Sequence, residues 1–513
     1  MPAFLQIARI LVLLALSVPL LSSAYPAQDA TPEILYQQAR SAEAAGDIKK
    51  STEKYEKIVS LRPDLAEAHA NLGRLYFQQQ QLEQAARCLK KAIKLKPGLA
   101  GPYFFLGIIA FNSRQYDEAL RYFKKAQTLD ESVIATALYL GYTDYALRNY
   151  LEAVRDFQRV AKAQQDDPDV LYYLSKSYGQ AAKHYYGLLQ QTFPDSFYTH
   201  LARAHAFENQ GNWQFAKTEY TLALNQKPQN TRLKQRLAWA TQNAAGKPAG
   251  PPPSRASNPQ GELIDGSLQF LYAPKEVTNV HGELKRYESL IEPDRGTQSA
   301  EKIYSLGENY QIVSYLTSLR VLEVDPESWR AHQLKAQFYA EVGQDEEALK
   351  EYRAAAKLKP DLPDLHFEIG DLYWKRSHVE EALPELQREL SIQPNHPQAL
   401  YEVGDILYTE GKLQEAEQCL LKALKFEPGM VAAHLALERI YTNMGRYPES
   451  IAKLETAFKL APTDPTPHYR MAALLRKMGK QEQAQQELAI FASMSKVGIK
   501  RTDAATAGQE GRR

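Results

Sequence analysis

The stretch LAEAHANLGRLYFQQQQLEQAARCLKKAIKLKP, residues 65–97, decides the fold. In its first part, apolar residues from Leu72 to Tyr76 follow the spacing of one helix face. The polar run Gln78–Gln81 interrupts this pattern, and a second apolar helical pattern follows it. Pro97 ends the second pattern, because proline has no backbone N–H to donate within a helix. The stretch therefore predicts two helices joined by a short turn.

The same residue types return along the chain at a fixed interval. The repeated prolines are Pro326, Pro360, Pro394, Pro428 and Pro462, and each number exceeds the one before it by 34. The repeated glycines are Gly73, Gly107 and Gly141, and the repeated alanines are Ala85, Ala119, Ala153, Ala348, Ala382 and Ala416. One helix pair cannot bury its apolar face alone, so helix pairs at a fixed period are expected to stack on their neighbours into one continuous core.

The period and its residue types resemble the tetratricopeptide repeat, a helix–turn–helix of about 34 residues. One copy reads His69, Leu72, Gly73, Tyr76, Ala85, Leu89, Ala92 and Pro97, and another reads His366, Ile369, Gly370, Tyr373, Ala382, Leu386 and Pro394. The resemblance implies an all-α fold, a right-handed α-solenoid of such repeats. Glycine and alanine would lie where the two helices cross closely, so packing alone accounts for the signature residues.

The period breaks once in each half of the chain, at 169–196 and at 301–328. Both segments are too short for a full repeat and lack the polar break between helices. Adding 132 to the residue number maps Tyr172 onto Tyr304. The same shift aligns the full repeat that follows the first segment with the full repeat that follows the second. We interpret this as a duplicated module, in which a shortened helical unit precedes a full repeat and bends the solenoid.

These features predict two arrays joined by a linker rich in proline, glycine and serine. The predicted segments are a signal peptide (1–24), an N-terminal array with a capping helix (31–243), the linker (244–262), an irregular or degenerate repeat (263–300), a C-terminal array (301–495) and a disordered tail (496–513).

The N-terminus predicts export. An apolar run extends from Ile10 to Leu21, and the small residues Ser22 and Ala24 suit cleavage after Ala24. The run is shorter than the ~20 apolar residues that a membrane-spanning helix needs. The alternative is an uncleaved anchor. We expect a periplasmic or extracellular protein, of bacterial origin, with no integral span after cleavage.

Composition and motifs exclude several functions. The 62 lysines and arginines are balanced by 61 aspartates and glutamates, so no strong positive field predicts nucleic-acid binding. No metalloprotease, nucleophile-elbow or phosphate-loop motif is present in the sequence. Cys88 and Cys419 are too few for a thiolate metal site, and the histidines recur at one position of separate repeats. We therefore predict a non-enzyme without metal or cofactor.

In the repeat family, the first helix of each pair lines the concave side, with lining residues along one helical stripe. In the N-terminal array this stripe predicts an apolar groove made of Phe104, Ile108, Phe111, Leu138, Tyr142 and Tyr145. Such a groove could hold an extended or helical peptide. The alternative interpretation is that several of these rings pack against the next repeat.

In the C-terminal array the stripe consists of Phe367, Asp371, Trp374, Tyr401, Asp405 and Tyr408. Aromatic residues alternate there with carboxylates, which suits a partner with basic and apolar groups. Two alternatives stay open: a glycan-binding face, and a solvated acidic face without a ligand.

Some members of the family bind a terminal carboxylate with a lysine and an asparagine one helical turn apart. The equivalent pairs here are Ala70/Arg74, Phe104/Ile108, Phe367/Asp371 and Tyr401/Asp405, so that clamp is absent. The sequence thus predicts a non-catalytic scaffold for protein or peptide partners. The alternative function is an accessory protein that binds or assembles envelope glycans or polymers.

Overall fold

The computed structural model of the chain describes residues 31–209, 211–246, 280–291, 299–341, 343–462 and 464–494. Within these ranges every regular element is a helix and no strand occurs, so the predicted all-α solenoid class is confirmed. The predicted signal peptide, nearly all of the linker, residues 263–279 and the tail from 496 lie outside the described ranges. Those assignments remain predictions.

The chain divides into two compact units, residues 1–139 and 140–513. Unit 1 contains α1 (Pro32–Ala44), α2 (Ile48–Leu61), α3 (Ala66–Gln78), α4 (Leu82–Leu95), α5 (Ala100–Asn112), α6 (Tyr116–Leu129) and the first part of α7 (Ile134–Ala146). The division falls inside α7, and therefore inside the predicted N-terminal array. Each unit is described by itself below.

Unit 2 begins within α7 and continues to the end of the chain. Its helices are α8 (Tyr150–Ala163), α9 (Pro168–Thr192), α10 (Phe197–Asn209), α11 (Trp213–Gln226), α12 (Thr231–Ala244), α13 (Val280–Glu288), α14 (Ala300–Val324), α15 (Trp329–Glu341), α16 (Asp345–Leu358), α17 (Leu365–Lys375), α18 (Val379–Ile392), α19 (Pro397–Thr409), α20 (Leu413–Phe426), α21 (Val431–Asn443), α22 (Tyr447–Leu460) and α23 (Thr466–Lys477). Residues 481–494 form a last helix.

A left-handed residue makes the turn between the two helices of an ordinary repeat. In the turn between α19 and α20, Gly411 has φ of 77°, a conformation that glycine adopts without steric cost. The next N–H, of Lys412, then bonds to the carbonyl of Leu407 at 2.9 Å and closes the end of α19. Gln80 takes the same position between α3 and α4, with φ of 61°.

Five of the hairpins are held by a glycine on the first helix and a large side chain on the second. A Cβ placed on Gly73 would lie 2.6 Å from Cγ of Leu89, and one on Gly370 would lie 2.8 Å from Cγ of Leu386. Only glycine lets the helices approach this closely. The same contact, at the same separation in sequence, joins Gly107 to Phe123, Gly141 to Phe157 and Gly404 to Leu420.

Each of the two shortened units is one continuous helix of 25 residues, α9 or α14. The two helices lie antiparallel. Just before α9 begins, Asp166 pairs with Arg320 of α14 at 2.7 Å. Toward the other end of α9, the hydroxyl of Tyr186 donates to Glu308 at 2.5 Å.

The glycine contact of the ordinary hairpin recurs between these two long helices. A Cβ on Gly307 of α14 would lie 3.0 Å from the ring of Tyr186 of α9. The large side chain therefore comes from the other shortened unit rather than from the next helix along the chain. Between the first half of α9 and the second half of α14, the Ser314 hydroxyl donates to the Ser175 carbonyl at 2.8 Å. The two helices have thus exchanged halves, and each pair of halves makes one hairpin of the repeat type.

The core confirms this exchange. Leu171 of α9 and Val321 of α14 belong to the same core as α15 to α21. Leu189 of α9 and Ile303 of α14 belong instead to the core of α10 to α12. The first half of α9 thus adjoins α15, where the Tyr172 hydroxyl donates to Gln333 at 2.6 Å.

No described helix is both long enough and apolar enough to cross a lipid bilayer.

Candidate functional site: an acidic and aromatic groove in unit 2

The first helices of successive hairpins lie side by side in unit 2. The first half of α9 contacts α15, α17 contacts α19, and α19 contacts α21. Their buried faces share one core, which includes Ile369, Val403 and Leu437. The predicted C-terminal stripe lies on α17 and α19 and is half-buried throughout. We name its surface, with the adjoining parts of α9, α15 and α21, the inner groove.

Both carboxylates of the predicted stripe have cationic partners within the protein. Lys375, one helical turn along α17, bonds to Asp371 at 2.5 Å. Arg439 of α21 pairs with Asp405 of α19. The guanidinium of Arg439 also lies 4.7 Å from the centre of the Tyr408 ring. The charges of the groove are therefore held in fixed positions.

The four aromatic side chains of the stripe touch their neighbours with part of their surface only. Trp374 and Tyr401 meet edge to face, with ring centres 6.1 Å apart. The ring of Phe367 packs on that of His396, with ring centres 4.6 Å apart. All four rings pack against the buried core of this array but are only partly buried themselves. Each ring thus combines a packing role with an exposed part, so packing and ligand contact are both open to it.

Four charged residues of the groove were not singled out in the sequence: Lys176, Glu341, Glu368 and Glu402. Burial raises the pKa of Glu368 and lowers the pKa of Lys176. The charge of Lys176 opposes the pKa shift of Glu368. Glu368 and Glu402 occupy the same position of successive repeats, so superposing the repeats position by position would have shown two acids at one place.

Glu402 is the most perturbed acid of the groove. Burial, together with the charge of Asp371 and a hydrogen bond to it, raises the pKa of Glu402 to about 9. These effects favour the protonated form of Glu402. When two carboxyl groups lie this close, repulsion between their negative charges commonly leaves one proton shared between them.

The unit 2 part of the predicted N-terminal groove consists of Tyr142 and Tyr145. Their ring centres lie 4.9 and 5.6 Å from that of Tyr173 on α9. Burial raises the pKa of Tyr145, and the charges of Asp364 and Glu368 add to the shift. Both tyrosines thus pack on the following helix, as the alternative interpretation holds, and Tyr145 also faces the acidic side of α17.

The unit 1 part consists of Phe104, Ile108, Phe111 and Leu138. Ile108 is buried in the core, with 2% of its surface exposed. Phe104 and Phe111 both contact the ring of Tyr139, at 5.7 and 5.9 Å between ring centres. Leu138 is half-buried. These rings therefore pack against the next helix as well, and their role in ligand binding stays a prediction.

The repeated histidines have separate partners. Four of them bond through Nδ1 to a glutamate on the second helix of the same repeat: His200 to Glu219, His332 to Glu351, His366 to Glu385 and His468 to Glu487. Across the described part of the chain, no three His, Cys, Asp or Glu side chains are grouped so as to hold a metal ion. Cys88 and Cys419 are free thiols whose pKa burial raises.

A cavity of about 480 Å³ lies apart from the groove, between α8, α9, α13 and α14. Its lining is mixed, with apolar residues such as Leu151 and Leu284 beside charged ones such as Arg155 and Lys285.

Five family matches fall on hairpins of both units. Residues 66–99, 100–132, 367–432 and 433–467 match families described as tetratricopeptide repeat, and residues 336–377 match one described as TPR repeat. With the hairpin geometry above, they show that the chain is a tetratricopeptide repeat protein. No curated protein matches the chain.

Solved structures of similar folds match only loosely. The crystal structure of MamA protein is 16% identical, with 34% of this chain and 96% of that chain covered and a TM-score of 0.32. YrrB, titled a TPR protein with an unusual peptide-binding site, is 16% identical, with 37% and 97% covered and a TM-score of 0.32. The APC/C hetero-tetramer Cut9-Hcn1 is 16% identical, with 93% and 96% covered and a TM-score of 0.34.

Proposed function

We propose that this protein is a non-catalytic interaction scaffold that binds a peptide segment of a partner protein along the inner groove of unit 2. The observation that carries the proposal is the arrangement on α17 and α19. Half-buried rings there alternate with carboxylates whose positions are fixed by ion pairs. Rigid aromatic side chains with an exposed part are the usual anchors of peptide recognition, because they offer large contact area at a low entropy cost.

The charge of the groove favours a basic and apolar partner. Its described charged residues include Glu341, Glu368, Asp371, Glu402 and Asp405 against Lys176, Lys375 and Arg439. Acids outnumber bases, and burial raises the pKa of Glu368 and Glu402, so it already disfavours the charge of these two acids. A cation brought by a partner would stabilise the ionised form of these acids. A peptide that alternates apolar and basic residues therefore fits best.

The test is a selection of short random peptides, displayed on phage, against the purified full-length chain. Selected peptides are then titrated against Trp374→Ala and Tyr408→Ala. We expect each change to weaken binding by about 10- to 30-fold, which is typical for an anchor side chain. Phe215→Ala removes an exposed ring of α11, the second helix of its hairpin, and serves as the matched control.

Failure to select any peptide would contradict the proposal. So would binding that Phe215→Ala weakens as much as the two groove variants do. A glycan array run with the same proteins tests the alternative function. If the chain binds glycans but no peptide, and Trp374→Ala abolishes the glycan binding, the alternative function is favoured over the peptide scaffold.

We also propose that the protein is exported, because residues 1–24 have the apolar run and the small residues of a signal peptide. Sequencing the N-terminus of the protein purified from its native envelope tests this. Cleavage predicts a mature chain that begins at Tyr25, whereas an intact Met1 or a cytosolic location would contradict export by a cleaved signal.

A further inference from the structure

One acid of the inner groove is left with an unused acceptor. Glu402 has only 4% of its surface exposed, and its Oε2 has no hydrogen-bond partner among the described residues. Leaving a buried carboxyl oxygen without a hydrogen bond is costly, so a ligand that donates to this atom would be stabilising. The side chain beside it, Asp371, is 14% exposed and opens the site to the groove.

The surroundings of Glu402 determine what that partner can be. The charged groups that act on it most strongly lie on α17: Asp371, Lys375 and Glu368. On its own helix, Tyr401 is a neighbour whose pKa is raised by burial. On the side of α21, Arg439 is already bound by Asp405. The only strong cation near Glu402 in this set is Lys375, and Lys375 is bonded to Asp371.

We propose that Glu402 and Asp371 form a subsite for the cationic tip of a lysine or arginine side chain of the bound peptide. The inference rests on the function proposed above and adds the chemistry that one position of the peptide must have. Without ligand, Glu402 keeps its proton and shares it with Asp371. When the peptide cation enters, the proton leaves to solvent, and the cation bonds to the carboxylate that remains, so the charge of the site is unchanged.

The balance of charge explains why a cation, rather than a neutral donor, is favoured. Asp371 and Lys375 together are neutral, so ionised Glu402 would leave a net negative charge in a largely buried place, with Glu368 close by. That charge is disfavoured without a ligand, as the raised pKa of Glu402 shows. An ammonium or guanidinium group both removes the excess charge and gives Oε2 a donor, whereas a neutral side chain can only supply the donor.

The first experiment repeats the peptide selection on the full-length chain and on two variants. Glu402→Gln keeps the shape of the protonated acid but cannot ionise. Glu381→Gln changes an exposed glutamate of α18 and is the matched control. We expect the unchanged chain and the control to enrich one lysine or arginine position at least fivefold over the library, and Glu402→Gln to lose that enrichment while keeping the apolar positions.

Equal enrichment on all three proteins would overturn the subsite. Selected peptides with no enriched cation on any protein would overturn it too, but would leave the proposed function standing. If no peptide is selected by any of the three, the proposed function fails with it.

The second experiment measures proton release. A selected peptide is titrated at several pH values from mildly acidic to mildly alkaline, in parallel with a copy in which norleucine replaces the enriched lysine or arginine. Release of one proton predicts an affinity that rises by up to about tenfold per pH unit below the pKa of Glu402. Glu402→Gln and the norleucine peptide should both abolish the slope. A flat profile for the unchanged pair would overturn the proposal, whatever the selection gave.

Discussion

The exchange of halves between α9 and α14 can be tested by a disulfide that only the exchanged arrangement allows. A Cβ on Gly179 of α9 would lie 3.2 Å from Oγ of Ser314 of α14. In a disulfide the two Cβ atoms lie about 3.8 Å apart, and a Cβ this close to the position of the partner's sulfur fits that geometry. We therefore expect the variant with Gly179→Cys and Ser314→Cys to form an intramolecular disulfide on mild oxidation.

The size of the effect follows from the length of chain that the disulfide closes. In the chain-entropy description, closing a loop of roughly 135 residues, the separation of the two positions, stabilises the folded state by about 5 kcal/mol before any strain is subtracted. Unit 2 contains about 300 described residues, and with about 2.1 cal/mol/K of unfolding entropy per residue this corresponds to a rise of roughly 5–8 °C in its melting temperature.

The assay compares oxidised and reduced protein by electrophoresis, by peptide mapping and by thermal unfolding. A variant with Gln190→Cys and Ser314→Cys is the control. Gln190 is exposed and lies about 16 Å farther along α9, so no link is expected. Peptide mapping separates the new link from any reaction of Cys88 or Cys419. Linked dimers instead of linked monomers would refute exchange within one chain, and a link in the control alone would refute the pairing itself.

Three further predictions concern stability, each measured by urea unfolding. Gly370→Ala should cost about 1–3 kcal/mol, although alanine favours helices, because the new Cβ meets Leu386; shortening Leu386 to alanine as well should recover part of the loss. The hydrogen bond that His366 donates to the Glu385 carboxylate raises the pKa of His366, so this pair stabilises the fold below about pH 6.5 and ceases to do so as pH rises through the raised pKa. Replacing the histidine by glutamine should flatten that pH dependence of stability, and an unchanged slope would contradict the reasoning. Arg236→Ala should cost about 3–5 kcal/mol, because it leaves the buried carboxylate of Glu208 without its cationic partner. A loss below about 1 kcal/mol would contradict the reasoning.

The hairpins could be predicted from the sequence because their determinants are local. The contact between Gly370 and Leu386 joins two residues of one repeat, and the sequence period brings it back between Gly404 and Leu420. The exchange could not be predicted in this way. The sequence shows that 169–196 and 301–328 lack a turn, but a missing turn does not say which helix supplies the other half. That choice depends on tertiary contacts such as the one between Gly307 and Tyr186.

The sequence allowed the stripe residues to be placed on one helix face, but it did not predict their charge state. Helical periodicity places Asp371 and Asp405 on the stripe and suggests two free acids. Lys375, one helical turn after Asp371, and Arg439, one repeat after Asp405, neutralise them. Both spacings are visible in the sequence and could have been used. The raised pKa of Glu402 could not be predicted, because it depends on burial between two helices that only the folded structure defines.

The exchange also determines how the inner groove is built. The first half of α9 supplies Lys176 and Tyr173 to the groove. The second half of α14 packs in the same core beneath them. One groove is therefore assembled from segments on both sides of residues 247–279. An ordinary continuous array would place α10 next after the first half of α9. Here α15 takes that place, and Arg330 of α15 is bound by Asp169 of α9. The acidic and aromatic stripe of α17 and α19 thereby lies in the same unit as the tyrosines of α7 and α9, so the proposed peptide would meet an apolar end and an acidic end.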